Sequence, residues 1–250
     1  MPGTFTLGVC GKGGTGKTTI SALLVRAFVE ADMTPVLAVD ADPNANLHEA
    51  LGVEVRETLG GMREEAFTKA IPPGMSRTEF IRYRFRQVLV ESAGFDLLAM
   101  GRPEGTGCYC FANDLLQTCM RLLEREYRFI VIDTEAGMEH ISRGTIGLPD
   151  LLLIVSDPGA RGIRTAARIR EIALSLGFSD ERIRYIINRY RPGEPATGPG
   201  GAKPIAVVPD DPAVGDADLA GEPVARIPAG SPAYSAVSAL AREIVGMAKR

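Results

Sequence analysis

The sequence has no tryptophan, only four cysteines and two histidines, and no uninterrupted apolar run of the 20 or so residues that a transmembrane helix needs. Its first residues also lack the basic region and apolar core of a secretory signal. Lys and Arg number 28 against 31 Asp and Glu, so the net charge of −3 provides no overall positive field for nucleic acid. We therefore expect a cytoplasmic protein that binds neither nucleic acid nor membrane.

The pattern of apolar segments predicts an α/β fold in one domain, residues 1–250. Strands are predicted at Thr4–Cys10, Val36–Val39, Phe95–Met100, Phe129–Ile132, Leu151–Val155, Tyr185–Ile187 and Ile205–Val208. Helices are predicted at Met75–Glu91, Phe111–Glu126, Ala160–Leu176 and Pro232–Ala248. Alternation of this kind is typical of a doubly wound, mostly parallel sheet with helices on both faces.

A glycine-rich motif follows the first predicted strand and precedes a helical pattern. It consists of Gly11, Lys12, Gly13, Gly14, Thr15, Gly16, Lys17, Thr18 and Thr19. In this context the motif is a P-loop, whose backbone N–H groups and helix N-terminus bind phosphates. Lys17 is expected to reach the phosphates of ATP or ADP, and Thr18 to bind Mg²⁺.

The second lysine of this motif, Lys12, directly follows the first glycine, where most P-loops carry no charge. In this it resembles the dimeric P-loop ATPases that include the Min and Par positioning ATPases, the arsenite-pump ATPase and the nitrogenase iron protein. The resemblance implies a homodimer in which Lys12 crosses to the partner's nucleotide and acts in catalysis. A solvated loop lysine is the alternative.

Carboxylates follow two of the predicted strands, at the sheet edge where open α/β folds bind ligands. The resemblance implies that Asp40 lies near Mg²⁺ and that Asp42 orients the attacking water; Asp42 could instead cap a helix. Asp133 ends an apolar strand and is expected to hold the Mg²⁺ shell. Gly137 would allow a backbone N–H to approach the γ-phosphate.

The base of the nucleotide is expected near Asn188, where related ATPases use an amide to read adenine. Arg191 stands where a guanine-binding protein would have an aspartate, which favours ATP over GTP. Pro209 is a candidate for the other side of the base. The Pro- and Gly-rich segment Arg191–Lys203 predicts a mobile surface loop, either idle or closing over the nucleotide.

Cys108 and Cys110 flank a single tyrosine and form a Cys-x-Cys pair. Two copies related by a two-fold axis would supply four thiolates, which suits square-planar Ni²⁺ or tetrahedral Zn²⁺. A redox pair or exposed loop thiols are the alternatives. Cys10 and Cys119 fit core positions better than metal ligands.

Several stretches together resemble the maturation ATPases of carbon monoxide dehydrogenase and acetyl-CoA synthase, the CooC family. They are Gly11–Thr19, Asp40–Leu47, Gly101–Gly105, Cys108–Cys110 and Asp133–His140. The resemblance implies a homodimeric ATPase that binds nickel at the paired cysteines and serves a nickel-enzyme client. A positioning ATPase and an iron–sulfur reductase similar to the nitrogenase iron protein are the alternatives.

Overall fold

The computed structural model describes residues 3–61, 71–102, 116–117, 120, 123, 125–137 and 147–249. The strands are β1 (Phe5–Gly11), β2 (Val36–Asp40), β3 (Val90–Glu91), β4 (Phe95–Ala99), β5 (Phe129–Asp133), β6 (Leu151–Ser156), β7 (Ile183–Tyr190) and β8 (Ala206–Pro209). They form one sheet in the order β3-β4-β2-β5-β1-β6-β7-β8. Every neighbouring pair is parallel except β3 with β4. This confirms the predicted doubly wound, mostly parallel sheet.

The helices whose bounds lie within the described residues are α1 (Lys17–Glu30), α2 (Leu47–Leu51), α3 (Arg77–Val88), α4 (Ala160–Ser175), α5 (Pro212–Ala220) and α6 (Pro232–Ala248). Three short 3-10 helices lie at Asp180–Arg182, Pro199–Gly201 and Val224–Arg226. Within these ranges, no helix combines the length and the apolar character that crossing a bilayer requires.

Two hydrophobic cores lie on opposite faces of the sheet because successive strand residues point to opposite sides. On one face, Phe129 and Val131 of β5 belong to the cluster that contains the buried residues of α1 and α6. On the other face, Ile130 and Ile132 belong to the cluster that contains residues of α3 and α4. All residues of β2, β5 and β6 are buried, which explains their continuous apolar sequences.

The structure differs from the predicted elements at α3 and at α5. The predicted helix Met75–Glu91 ends at Val88, because Leu89 is extended and Val90–Glu91 pairs with β4. α5 was not predicted: none of its residues is buried, so it lacks the apolar periodicity on which the prediction depended. Most of the predicted helix Phe111–Glu126 lies outside the described residues; positions 116, 117, 120 and 123 are helical.

The Pro- and Gly-rich segment Arg191–Lys203 connects the parallel strands β7 and β8, a connection usually made by a helix. Its first part is held at the carboxyl end of the sheet, where Arg191 pairs with Asp210 at 2.7 Å. It then returns to the start of β7, where Ile205 N donates to Tyr185 O at 2.9 Å. Only its beginning therefore lies near the predicted base site.

Candidate nucleotide site

The P-loop connects β1 to α1 through backbone conformations that favour glycine. Gly11, Gly14 and Gly16 have φ values of 154°, 80° and 88°. A Cβ at Gly11 would lie 2.3 Å from the Val155 carbonyl oxygen of β6. The turn closes on Lys12 O, which accepts hydrogen bonds from Thr15 N at 3.3 Å and Thr15 Oγ1 at 2.8 Å. The loop is therefore held by its own backbone and by the neighbouring strand.

Gly16 is the N-cap of α1 and lies against Asn188. The Asn188 side-chain amide donates to Thr15 O at 2.9 Å, and a Cβ at Gly16 would lie 2.3 Å from that amide nitrogen. Asn188 is buried. The residue predicted to read the base thus also fixes the P-loop, a role that sequence reasoning missed.

The two P-loop lysines have contrasting environments. Lys17, the first residue of α1, is 8% exposed and lies where phosphate would meet the helix N-terminus. Lys12 is exposed. An exposed side chain at this position agrees with both of its predicted interpretations, a contact with a partner protomer and a solvated lysine.

The arrangement of oxygen groups at the end of β5 best fits a Mg²⁺ site. Thr18 Oγ1 donates to Asp133 Oδ2 at 2.6 Å, and Ser21 Oγ donates to Asp133 Oδ1 at 3.2 Å. Burial raises the pKa of the Asp133 carboxyl to about 6, and the two hydroxyls and the Lys17 charge oppose that rise. Hydroxyl and carboxylate oxygens are the ligands that Mg²⁺ prefers. Ser21 is an addition to the predicted site.

Asp40 is fully buried at the end of β2, beside Asp133 in the sheet register. Its Oδ1 accepts from Asp42 N at 3.1 Å and its Oδ2 from Leu47 N, at the start of α2, at 2.8 Å. Burial, aided by the Asp133 charge, raises its pKa to about 7. Asp40 therefore organises the β2–α2 loop through backbone contacts, whereas Asp133 directly contacts the hydroxyl of Thr18, the predicted Mg²⁺ ligand.

Asp42 lies half-buried in the same loop. Its Oδ1 accepts from Asn44 N at 2.8 Å and from Asn44 Nδ2 at 3.0 Å, which makes an Asx turn. The alternative that Asp42 caps a helix is wrong, because α2 begins at Leu47 with Asn46 as its N-cap. No described residue donates to Asp42 Oδ2, which leaves that oxygen able to orient a water molecule.

The segment after β5 returns to the P-loop. Thr134 N donates to Val9 O at 3.1 Å, and Gly137 N donates to Gly11 O at 3.2 Å. Gly137 has a φ of 103°, a conformation that other residues rarely adopt. In this structure the Gly137 N–H is used within the protein, so its predicted approach to the γ-phosphate requires that hydrogen bond to break.

A cleft of about 1180 Å³ extends from the P-loop helix toward the carboxyl ends of β7 and β8. Thr18 and Thr19 line one end, and the two residues predicted to contact the base, Asn188 and Pro209, line it as well. α5 contributes Val214 and further residues that the sequence analysis missed. A volume of this size accommodates a nucleotide.

α5 is held over the cleft by Asp211. The Asp211 carboxylate accepts from Ala213 N at 3.0 Å, which caps α5, and from Ala233 N at 2.9 Å and Ser231 Oγ at 2.5 Å, at the start of α6. These hydrogen bonds lower the pKa of Asp211, against the effect of its burial. The signal available in the sequence was Asp211 followed by Pro212, an N-cap residue before a first-turn proline.

The predicted metal pair, Cys108 and Cys110, lies outside the described residues. Within the described part of the chain, no group of three or more His, Cys, Asp or Glu side chains is arranged to hold a metal ion. Cys10 is fully buried, and burial raises the pKa of its thiol to about 12. It is a core residue, as predicted.

The fold and the site together define a P-loop nucleotide-binding protein. The family model described as the CobQ/CobB/MinD/ParA nucleotide binding domain matches residues 9–224. The chain belongs to this family of P-loop ATPases.

Three known proteins illustrate the similarity. An uncharacterized ATP-binding protein of Methanocaldococcus jannaschii is 38% identical over 248 residues, covering 96% of this chain and 98% of that protein. The carbon monoxide dehydrogenase accessory protein CooC of Rhodospirillum rubrum is 37% identical over 196 residues, 73% of each chain. The septum site-determining protein MinD of Pyrococcus horikoshii, solved with Mg-ADP, has a TM-score of 0.72 at 24% identity, covering 98% of this chain and 97% of that one.

Proposed function

We propose that this chain is a single-domain, homodimeric ATPase that binds nickel at Cys108 and Cys110 and assists its insertion into the metallocluster of carbon monoxide dehydrogenase or acetyl-CoA synthase. The observation that carries the proposal is the Cys-x-Cys pair in a chain 37% identical to the accessory protein CooC. Nickel is here the cargo of the protein, and ATP with Mg²⁺ is its energy source.

The geometry supports ATP hydrolysis by the chain's own residues. Lys17 and the P-loop N–H groups would neutralise the phosphate charge, while Thr18 and Asp133 would hold Mg²⁺. Asp42 Oδ2 would orient the attacking water, since its other oxygen is engaged by Asn44. Phosphoryl transfer needs little beyond positioning and charge neutralisation, so these groups are sufficient for the reaction.

Two separate features of the chain are the reasons for proposing a dimer. Lys12 is exposed and could cross to the partner's nucleotide, where a charge supplied in trans raises turnover about 10³-fold or more. One Cys-x-Cys pair offers two sulfurs, whereas square-planar Ni²⁺ takes four ligands. If both sites are completed across one interface, nucleotide and nickel affinities must be linked reciprocally.

The proposal is tested by anaerobic titration of the reduced protein with Ni²⁺, alone and with ADP or a non-hydrolysed ATP analogue. We expect one nickel per dimer, lost in the variant Cys108→Ser/Cys110→Ser and retained in the matched control Cys119→Ser. Light scattering on the same samples should show less nucleotide-dependent dimer in Lys12→Ala. Absence of cysteine-dependent nickel binding in every nucleotide state would refute the nickel assignment and leave a P-loop ATPase with another client.

The colour of the same protein preparation tests the alternative of an iron–sulfur reductase. A brown protein that bleaches with dithionite would indicate a shared iron–sulfur cluster, because four thiolates also suit such a cluster.

A positioning ATPase of the Min or Par type is the second candidate, and the similarity of the fold to MinD favours it. Its membrane form needs an exposed amphipathic helix. Here the apolar face of α6 is buried, with Val237, Leu240 and Ile244 packed in the core that α1 shares. Sedimentation with anionic liposomes in the presence of ATP tests this candidate, and binding would favour it over the maturation role.

A further inference from the structure

β7 departs from regular geometry just before the nucleotide cleft. Its register with β8 shifts between Ile187 and Tyr190, which indicates a β-bulge. Within the bulge, Arg189 has a φ of 57°, in the left-handed region. The adjacent residue, Asn188, reaches the P-loop, so the bulge lies where the strand meets the nucleotide site.

A glycine would form this bulge without steric cost, because the left-handed region is unfavourable for residues with a Cβ. The chain instead places its longest charged side chain there. Backbone strain of this kind persists where the surrounding structure holds it, and it concentrates at functional sites. The conformation therefore directs attention to what the Arg189 side chain does.

Arg189 lies in a cleft whose described lining carries few positive charges. Of the described residues that line the cleft, two are cationic, and one of them, Arg191, is paired with Asp210 at 2.7 Å. Arg189 is exposed, and its side chain makes no hydrogen bond or ion pair with a described residue. The acidic residues of the same lining are Glu49, Asp210, Asp211, Asp218 and Glu222.

This lining is unfavourable for a ligand that carries several negative charges, since like charges in a cleft repel. The ends of the cleft are set by Thr18 and Thr19 at the P-loop and by α5 at the base side. Arg189 is thus the unpaired cation among the described lining residues that can offset the acidic groups when a nucleotide enters.

We propose that Arg189 is a nucleotide-binding residue whose guanidinium contacts the phosphate chain of the bound nucleotide. This inference rests on the nucleotide-binding part of the proposed function and on neither nickel nor the client. It assigns to one residue two effects of opposite sign, a conformational cost in the free protein and a favourable ionic contact in the complex.

Three substitutions separate these effects. Arg189→Ala keeps the unfavourable conformation and removes the charge, Arg189→Gly removes both, and Arg189→Lys keeps both. Calorimetric titration with ATP and inosine triphosphate measures binding, and melting without nucleotide measures stability. Arg191→Ala, whose side chain is already paired with Asp210, is the matched control, and Lys17→Ala marks complete loss of phosphate binding.

We expect Arg189→Ala and Arg189→Gly to weaken both nucleotides by the same factor, about tenfold, as for loss of one charge-assisted hydrogen bond. Arg189→Lys should lose less. The Tm of Arg189→Gly should exceed that of Arg189→Ala by about 2–4 °C, because only glycine relieves the strain.

The inference would be overturned if Arg189→Ala and Arg189→Gly both bound nucleotide with wild-type affinity. Unequal losses for ATP and inosine triphosphate would place Arg189 on the base and overturn the phosphate contact. Wild-type protein that binds no nucleotide would instead refute the proposed ATPase function itself, and with it this inference.

Discussion

Asn188 and Gly16 show at the residue scale how a predicted ligand contact and an observed structural contact can share one side chain. The amide of Asn188 donates to Thr15 O, and the space for that amide exists because residue 16 has no Cβ. The glycine at position 16 therefore satisfies two conditions, a positive φ at the start of α1 and a close approach from β7.

Gly16→Ala should abolish tight nucleotide binding and lower stability, because a Cβ would displace the Asn188 amide in addition to straining the backbone. Gly14→Ala is the matched control: Gly14 also has a positive φ, but a Cβ there would meet no atom within 4 Å. We expect Gly14→Ala to cost only the strain, about 1–2 kcal/mol.

Thermal melting without nucleotide compares the two variants. Asn188→Ala in the Gly16→Ala background removes the clash and should recover part of the lost Tm. Equal Tm losses for Gly16→Ala and Gly14→Ala would show that the contact with Asn188 is unimportant for stability.

The P-loop residues were predictable from the sequence because their spacing is a local requirement of phosphate binding. The second role of Asn188 was not, because it depends on a strand 173 residues away in the chain. For Asp40 the sequence located the carboxylate at the correct sheet edge, but only the structure shows that two backbone N–H groups occupy its oxygens.

At the scale of the elements, Asp211 connects two helices whose first residues are 20 positions apart in the chain. One carboxylate caps α5 and also accepts hydrogen bonds at the N-terminus of α6. α5 has no buried residue, so this cap is a principal determinant of where the helix lies over the cleft.

Asp211→Ala should destabilise the protein by about 2 kcal/mol, since an N-cap contributes about 1 kcal/mol and two helix starts lose their acceptor. For a chain of this size the Tm should fall by about 4–8 °C. Asp210→Ala is the adjacent control, because its exposed pair with Arg191 contributes less than about 1 kcal/mol. Melting curves without nucleotide give both values; a similar effect of the two substitutions would contradict the dual cap.

The elements that were predicted well are those with a strong internal pattern. α6 is observed at the predicted bounds, Pro232–Ala248, because one of its faces is continuously buried. α5 and the short strand β3 were missed because tertiary contacts, a shared cap and a pairing with β4, determine them. The helix and strand propensities of the residues do not report such tertiary contacts.

At the scale of the whole molecule, two buried carboxyls couple stability to pH. The pKa of Asp40 is raised to about 7 and that of Asp133 to about 6, mainly by burial. The folded state therefore holds protons that the unfolded state releases, and its stability falls as pH rises from about 4 to about 7.

Nucleotide-free protein should accordingly melt at a higher temperature at pH 5.5 than at pH 8, by roughly 5 °C, since one pKa unit corresponds to about 1.4 kcal/mol. Asp211, whose pKa is lowered, contributes stability that is lost only below about pH 4, outside this window.

Differential scanning fluorimetry across this pH range measures the slope of Tm against pH. Asp40→Asn should reduce it, and Mg²⁺ with nucleotide should reduce it further because the cation favours the charged form of Asp133. A Tm that rises from pH 5.5 to pH 8 in the nucleotide-free protein would contradict the raised pKa values.

The sequence by itself determined the class of the molecule: a doubly wound sheet, a P-loop and carboxylates at its carboxyl edge. These features follow from local periodicity and from residue spacing that phosphate chemistry requires. The tertiary structure alone decided how distant segments complete the site, including the bulge at Arg189, the Asp211 connection and the Asn188 contact with the P-loop. Those depend on which strands become neighbours, and the physical reason is that burial and hydrogen bonding across the sheet join residues that no sequence pattern brings together.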